Sequence, residues 1–203
     1  MKKHFYINGE FRMTLLDASR ELLDAEVYPG DPKPRREVLS SVNSGDDYTV
    51  SEISLCSHSA THIDAPSHVI DGGMTVDKIP LYMTVGPATV VECEGLVDVE
   101  RAESIFSSII RHEFNRRIIF KGDVAFTEDA ASYLASSGVY LVGVSSLSVG
   151  DIDIHRAFLS GGTIILEGLS TAGIESGYYF LHAAPILIEG GDGAPCRAIL
   201  HKI

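Results

Sequence analysis

FTEDAASYLASSGVYLVGV, residues 126 to 144, decides the fold class. Thr127 precedes Glu128 and Asp129 as an N-cap precedes the acidic first turn of a helix. Ala131, Leu134 and Ala135 then fall on one helical face, and Gly138 supplies the stop. VYLVGV, residues 139 to 144, follows as an almost unbroken apolar run, the pattern of a strand covered on both faces. Outward from this unit, the apolar triplet at 118–120 reads as a strand before it. Residues 152–160, closed by Gly161 and Gly162, read as a short helix after it, and TIILE (163–167) as the next strand. Strands that alternate with helices call for an α/β domain.

The flanks are richer in strands. Residues 12–24 read as a strand or a short helix, and 27–36, with three prolines and a glycine, as a turn-rich surface segment. Residues 48–55 read as a strand, and 81–93 as two strands around a Gly-Pro turn. Residues 98–112 read as a helix with Ile105, Ile109 and Ile110 on its buried face. Residues 178–190 read as two strands broken near Pro185, and the tail RAILHKI as another. Strands outnumber helices, so the expectation is a mixed sheet in a single domain over residues 1–203.

The chain carries 16 Lys+Arg against 28 Asp+Glu, a net charge of -12, and is 45% hydrophobic. That acidity gives nucleic-acid binding no support, and the apolar content argues against disorder. Cys56, Cys93 and Cys196 are an odd, scattered set that suits a reducing compartment. The N-terminus lacks a continuous apolar core and no 18-residue apolar run exists, so a cytoplasmic protein without a membrane span is expected. There is no GxGxxG or GxxxxGK[ST]. GGDGAP at 190–195 is rich in glycine without that spacing.

The chemistry concentrates in CSHSATHIDAPSH, residues 56–68. If the segment is extended, a period of two sends His58, His62, Asp64 and His68 to one side. Three imidazoles and a carboxylate within eleven residues need partners or a metal, and nitrogen with oxygen ligands suits Zn²⁺, Mn²⁺ or Fe²⁺. One strand cannot complete a catalytic metal site. His155, in the short helix, and Glu167, closing an apolar strand, are candidates for the second piece. Asp64 and Glu167 together offer four oxygens, enough to bridge two cations. His182 reads as a packed histidine. His4, His112 and His201 read as solvated or structural, and Tyr28 as a loop aromatic.

The run from His58 to His68 resembles the HxGTHxDxPxH signature of the "Putative cyclase" family, whose best-known members are bacterial kynurenine formamidases. The similarity extends through 78–91, 126–144, the His155–Glu167 spacing, 165–169 and 190–200. It implies a mixed-sheet, barrel-like swivelling β/β/α domain, one or two zinc ions (Mn²⁺ as the alternative) and a homodimer. It also implies hydrolysis of a small amide: N-formylkynurenine to kynurenine and formate, in tryptophan catabolism. By resemblance, His58, His62 and Asp64 match ligands of a first metal, Asp64 and Glu167 match bridging carboxylates, and His155 matches a ligand of the second metal. His68 matches the proton-transferring histidine. Tyr28 stands where formamidases carry a substrate-packing Trp, Ala60 where the signature has Gly, and Ser145, Leu147 and Gly150 where those enzymes have two acids and a proline.

The expected reaction is metal-assisted hydrolysis of a C–N bond, with His68 passing a proton to the leaving nitrogen. Opening of a cyclic amide, imide or lactone such as isatin is the nearest alternative. A non-catalytic metal-binding protein is a reading of another class. A cupin-like site fits less well, because the histidines are spaced His58-x-x-x-His62 rather than HxH.

Overall fold

The structure, a computed structural model, describes the backbone of residues 2–7 and 10–203 and the side chains from residue 14 onward. In chain order the elements are β1 (Lys2–Ile7), β2 (Glu10–Asp17), β3 (Arg35–Ser40), β4 (Val50–Ser54), β5 (His62–Asp64), α1 (Leu81–Thr84), β6 (Val85–Glu92), β7 (Gly95–Val97) and α2 (Val99–Ser108). They continue with β8 (Arg117–Lys121), β9 (Val124–Phe126), α3 (Glu128–Ser136), β10 (Leu141–Val144), α4 (Ile152–Ser160), β11 (Ile164–Glu167), β12 (Gly177–His182), β13 (Gly193–Pro195) and β14 (Ile199–Lys202). Ten strands make one mixed, half-barrel-like sheet in the order β1-β2-β14-β12-β6-β8-β10-β11-β5-β13. β3 pairs with β4, and β7 with β9, in two small sheets.

The parallel centre, β6-β8-β10-β11, is where the helices are spent. Parallel neighbours need crossovers, and α2, α3 and α4 supply the three. Each helix starts on a side-chain cap: Asp98 accepts from the Arg101 N–H, Thr127 from the Ala130 N–H, and Asp151 from those of Asp153 and Ile154. A cap of this kind contributes about 1 kcal/mol. Ala130, Ala131 and Leu134 of α3, with Ile154, Phe158 and Leu159 of α4, pack on Ile118, Phe120, Val142, Val144 and Ile165 of the sheet. The alternate residues Ile119, Leu141, Ile164 and Leu166 point to the opposite face and meet Ile63, Tyr179, Leu181 and Leu200. The sheet is therefore coated on both sides, as the apolar run at 139–144 required.

Four expectations change. Residues 81–93 hold no Gly-Pro turn: a single helical turn leads into one continuous strand, β6. Pro87 is tolerated there because pairing with β8 begins only at Thr89, so its missing N–H breaks no bond to β8. At α2, Ile105 and Ile109 pack on the core with Ala102 as expected, but Ile110, past the helix end, is 79% exposed. After β12 there is no second strand. Pro185 makes only an isolated bridge to Cys196, and residues 186–190 run as a loop. Residues 56–68 are not one extended piece. Only His62–Asp64 is strand; His58 sits in a turn and His68 in a 3-10 turn spanning Pro66–His68. Ala60, at φ 57 in the left-handed region, breaks the extension.

For the other elements the reading holds, and the ambiguous 12–24 segment resolves into β2 to Asp17 followed by turns. All three cysteines are free. Among the described residues no helix is long and apolar enough to cross a membrane. The side chain of His4 lies outside the described residues. His112 is exposed, and His182, expected to be packed, is exposed beside the Phe180 ring.

Candidate functional site

β5 lies between β11 and β13, antiparallel to both. The register sets Glu167 directly opposite His62, and Ile165 and Gly193 opposite Asp64. Opposed residues of an antiparallel pair share a face, as do residues two apart on one strand. His62, Asp64 and Glu167 therefore emerge together on the helix side, while Ile63 enters the core behind them. Thr61 ties the approach down, its hydroxyl donating to the Gly168 carbonyl at 2.6 Å. Gly168 has to be glycine: it has φ 66, and a Cβ there would sit 2.1 Å from the Ala60 carbonyl oxygen.

α4 delivers the next ligand. The His155 ring donates from Nδ1 to the Asp151 carbonyl at 2.8 Å, which turns the Nε2 lone pair inward. His62 does the same, its Nδ1 donating to the Ala60 carbonyl at 3.0 Å. A carbonyl only accepts, so Nδ1 carries a proton in both rings, and Nε2 is the atom left to a cation that displaces its proton. His62 Nε2 lies 3.3 Å from Asp64 Oδ1 and 3.4 Å from Glu167 Oε2; His155 Nε2 lies 3.3 Å from Glu167 Oε1 and 3.7 Å from Asp64 Oδ2. Glu167 is held from outside by the Val149 N–H, 2.7 Å from Oε1. Asp64 is 0% exposed and Glu167 3%, so Glu167 does not reach solvent at its strand end.

Two buried atoms here have no hydrogen-bond partner, His62 Nε2 and Asp64 Oδ2. Orphaned polar atoms in a dry site are costly, and both point at the same small volume. Zinc bonds of about 2.1 Å put neighbouring ligands of a tetrahedral ion roughly 3.4 Å apart, close to the spacings found. The donor set thus fits a divalent cation. Ligand atoms of His62, Asp64 and Glu167 lie within 4.8 Å of one another, as do those of His58, Asp64 and His68, with Asp64 common to both groups.

His58 differs from the other two imidazoles. Its Nδ1 is 2.7 Å from Asp64 Oδ1 and its Nε2 2.9 Å from Asp192 Oδ2. His68 stacks on it with ring centroids 4.0 Å apart. The electrostatics follow from these contacts. Burial works against a charged His62, but Asp64 and Glu167 override it and raise the imidazole to about 10. Burial likewise opposes His155, and Glu167, the Asp151 carbonyl and Asp64 raise it to about 9. Burial would lift the Asp64 carboxyl, yet His58 and His62 hold it far below the usual range. For His58, Asp64 and Asp192 outweigh burial and raise it. His68 goes the other way, lowered first by burial. Protons on the ligand imidazoles balance the carboxylates here, a task that a cation takes over when bound.

Above this floor opens a cleft of about 350 Å³ lined by Tyr28, Asp31, Leu147, Ser148, Asp151 and Ile152 besides the histidines and Glu167. Tyr28 faces the same cleft as His58, His62, His68, His155 and Glu167, although it is far from them in sequence, while Asp64 lies buried beneath them. Asp192, Asp151 and Val149 were missed by sequence reasoning. Asp151 and Val149 act through the backbone, which has no side-chain signature; GGDGAP was the visible trace of Asp192.

A "Putative cyclase" family model matches residues 16–151. A kynurenine formamidase of Salinibacter ruber is 36% identical over 214 residues, covering 93% of this chain and 97% of its own. Cyclase-like protein 1 of Arabidopsis thaliana is 32% identical over 87% of this chain and 79% of its own. Among solved structures, a predicted metal-dependent hydrolase from Bacillus stearothermophilus superimposes with a TM-score of 0.76 at 28% identity, over 95% of this chain and 100% of that one. Isatin hydrolase A of Labrenzia aggregata shares the fold, with a TM-score of 0.77 at 20% identity, over 94% of each chain. Similarity of this extent, on top of the site geometry, means that the chain belongs to the cyclase family, together with the kynurenine formamidases.

Proposed function

We propose that this protein is a metal-dependent amidohydrolase of the arylformamidase type, converting an N-formyl arylamine such as N-formylkynurenine, with water, to the arylamine and formate. The observation that carries this reading is the convergence of two inward imidazole lone pairs and two buried carboxylates on one cation-sized volume. His58, His62 and Asp64 would hold a first zinc ion, and His155 and Glu167 a second with Asp64 shared between them. Membership of Asp64 in both ligand groups supports that sharing. Mn²⁺ suits the same nitrogen and oxygen donors. When bound, the metal supplies Lewis acidity, polarising a carbonyl and acidifying water.

The chain's own residues do the rest. His68, 30% exposed at the side chain and stacked on His58, is placed to take a proton from water and return it to the leaving nitrogen. Tyr28 and Ile152, at the cleft mouth, offer apolar surface for an aryl ring. Asp64 and Glu167, fixed by register and by the Val149 N–H, keep the ligands from moving as charge develops.

Residues 1–203 work as one cytoplasmic domain in this reading, since the main sheet draws strands from both ends of the chain. The β3–β4 hairpin leaves Val38, Leu39, Val50 and Ile53 exposed, and an isolated two-stranded hairpin is marginal alone. That supports a homodimer in which a second copy covers it, and light scattering of the purified protein reads this directly.

Metal analysis of the purified protein and an assay with N-formylkynurenine, formanilide and isatin test the activity. Formate release dependent on zinc or manganese is the expected result. Ring opening of isatin without formamide cleavage would move the reading to a cyclic-amide hydrolase. Protein that neither binds metal nor turns over any of the three would overturn it.

A further inference from the structure

The GGDG run at 190–193 has no part in the reaction as described so far, yet it is fitted around His58. Gly193 opposes Asp64 in the β13–β5 register. A Cβ on Gly193 would lie 2.7 Å from His58 Cε1, so the loop passes against the imidazole with no room for a side chain. A Cβ on Gly191 would meet Val76 at 2.9 Å, which closes the other flank of the loop. Between the two glycines, the Asp192 carbonyl accepts the Ala65 N–H at 2.9 Å. The backbone at Asp192 is thereby anchored to the segment that joins Asp64 to His68.

The Asp192 side chain reaches toward both His58 and His68. Its Oδ2 accepts from His58 Nε2 at 2.9 Å and stands 3.6 Å from His68 Nδ1, an ion-pair distance rather than a hydrogen bond. We propose that Asp192 is the positioning residue of the site: its carboxylate accepts the Nε2–H of His58 and so fixes the ring with Nδ1 turned toward Asp64 and the metal position. A carboxylate behind a ligating histidine is the usual means of setting tautomer and ring angle, and its loss typically weakens metal binding about 10- to 100-fold. The proposal rests on the hydrolase reading above for its catalytic half, but its structural half concerns His58 alone.

Asp192→Ala removes the acceptor, whereas Asp192→Asn keeps a carbonyl acceptor and loses the charge. Three readouts apply to full-length protein: the ¹⁵N imidazole NMR signature of His58 without metal, zinc affinity by competition with a chromophoric chelator, and kcat and KM at saturating zinc. The expected result for Asp192→Ala is loss of the slowly exchanging His58 Nε2–H, zinc affinity lower by about 10- to 100-fold, and a fall in kcat with KM little changed. Asp192→Asn should keep the Nε2–H and restore most of the zinc affinity and kcat. A His58 signal and zinc affinity in Asp192→Ala equal to those of the parent protein would overturn the proposal. Failure of the hydrolase reading looks different, because the parent protein itself would then turn over nothing. The metal-free NMR comparison decides the role of Asp192 at His58 in either case.

Discussion

On the floor of the cleft Asp64 and Glu167 are 0% and 3% exposed and are ringed by imidazoles; at its mouth Tyr28 is 54% exposed and Ile152 47%. The floor is committed electrostatically. Two buried carboxylates need positive charge, whether from protonated imidazoles or from a cation, and each ligand is fixed by register, by a carbonyl or by a backbone N–H. The mouth carries no such obligation: an apolar side chain there can change without leaving a charge unpaired. Residues 145–150 span the two regimes. Leu147 and Ser148 line the cleft, while the Val149 N–H between them and α4 holds Glu167. The anchoring is done by the main chain, so side-chain replacement alters the wall of the cleft and spares its floor.

The largest expected effect lies on the floor. Asp64→Ala should abolish zinc binding and lower kcat/KM by more than about 10³-fold, because the metal contributes several kcal/mol to the transition state. Metal analysis and kinetics on the same preparation check it, and metal retained at parental levels would break the assignment of the floor. Next comes His68→Ala, at the boundary. It should lose about 10²- to 10⁴-fold in rate with metal still bound. A loss of metal in step with rate would make His68 a ligand and move the boundary outward.

At the mouth, Tyr28→Ala should raise KM about 2- to 10-fold for aryl substrates, the worth of one ring contact, and leave metal content alone. Steady-state kinetics on a neutral formanilide and on N-formylkynurenine read this. A metal-content change instead would mean that floor and mouth are mechanically one. The smallest effect concerns Ala60. Its left-handed backbone costs an alanine about 1–2 kcal/mol, part of which glycine returns through its greater unfolded-state freedom. Ala60→Gly should therefore raise Tm by up to roughly 4 °C without changing metal affinity. A lower Tm would show that the turn carries no strain.

The reach of the sequence differs along these same lines. Helical periodicity placed α3, the closing glycines α4, and unbroken apolar runs β10 and β11, whose residues are buried on both faces, and Thr127 and Gly138 mark real ends. Pattern reading misjudged residues 81–93, where Gly86 and Pro87 look like a turn but are absorbed by a strand whose neighbour begins two residues later. It expected His58, His62, Asp64 and His68 to share a side through one extended strand. They do meet, but by a turn, a three-residue strand and a 3-10 turn, which a period of two cannot foresee.

Residue chemistry alone determined that an acidic α/β chain carries imidazoles and carboxylates in a ligand-like pattern near positions 60 and 160, since side-chain type and local spacing are written in the sequence. The tertiary structure decided which of those groups share a face, which ring nitrogen points inward, and that Asp192 stands behind His58. Those outcomes depend on strand register between segments roughly a hundred residues apart and on backbone carbonyls and N–H groups, which every residue has and no side chain announces.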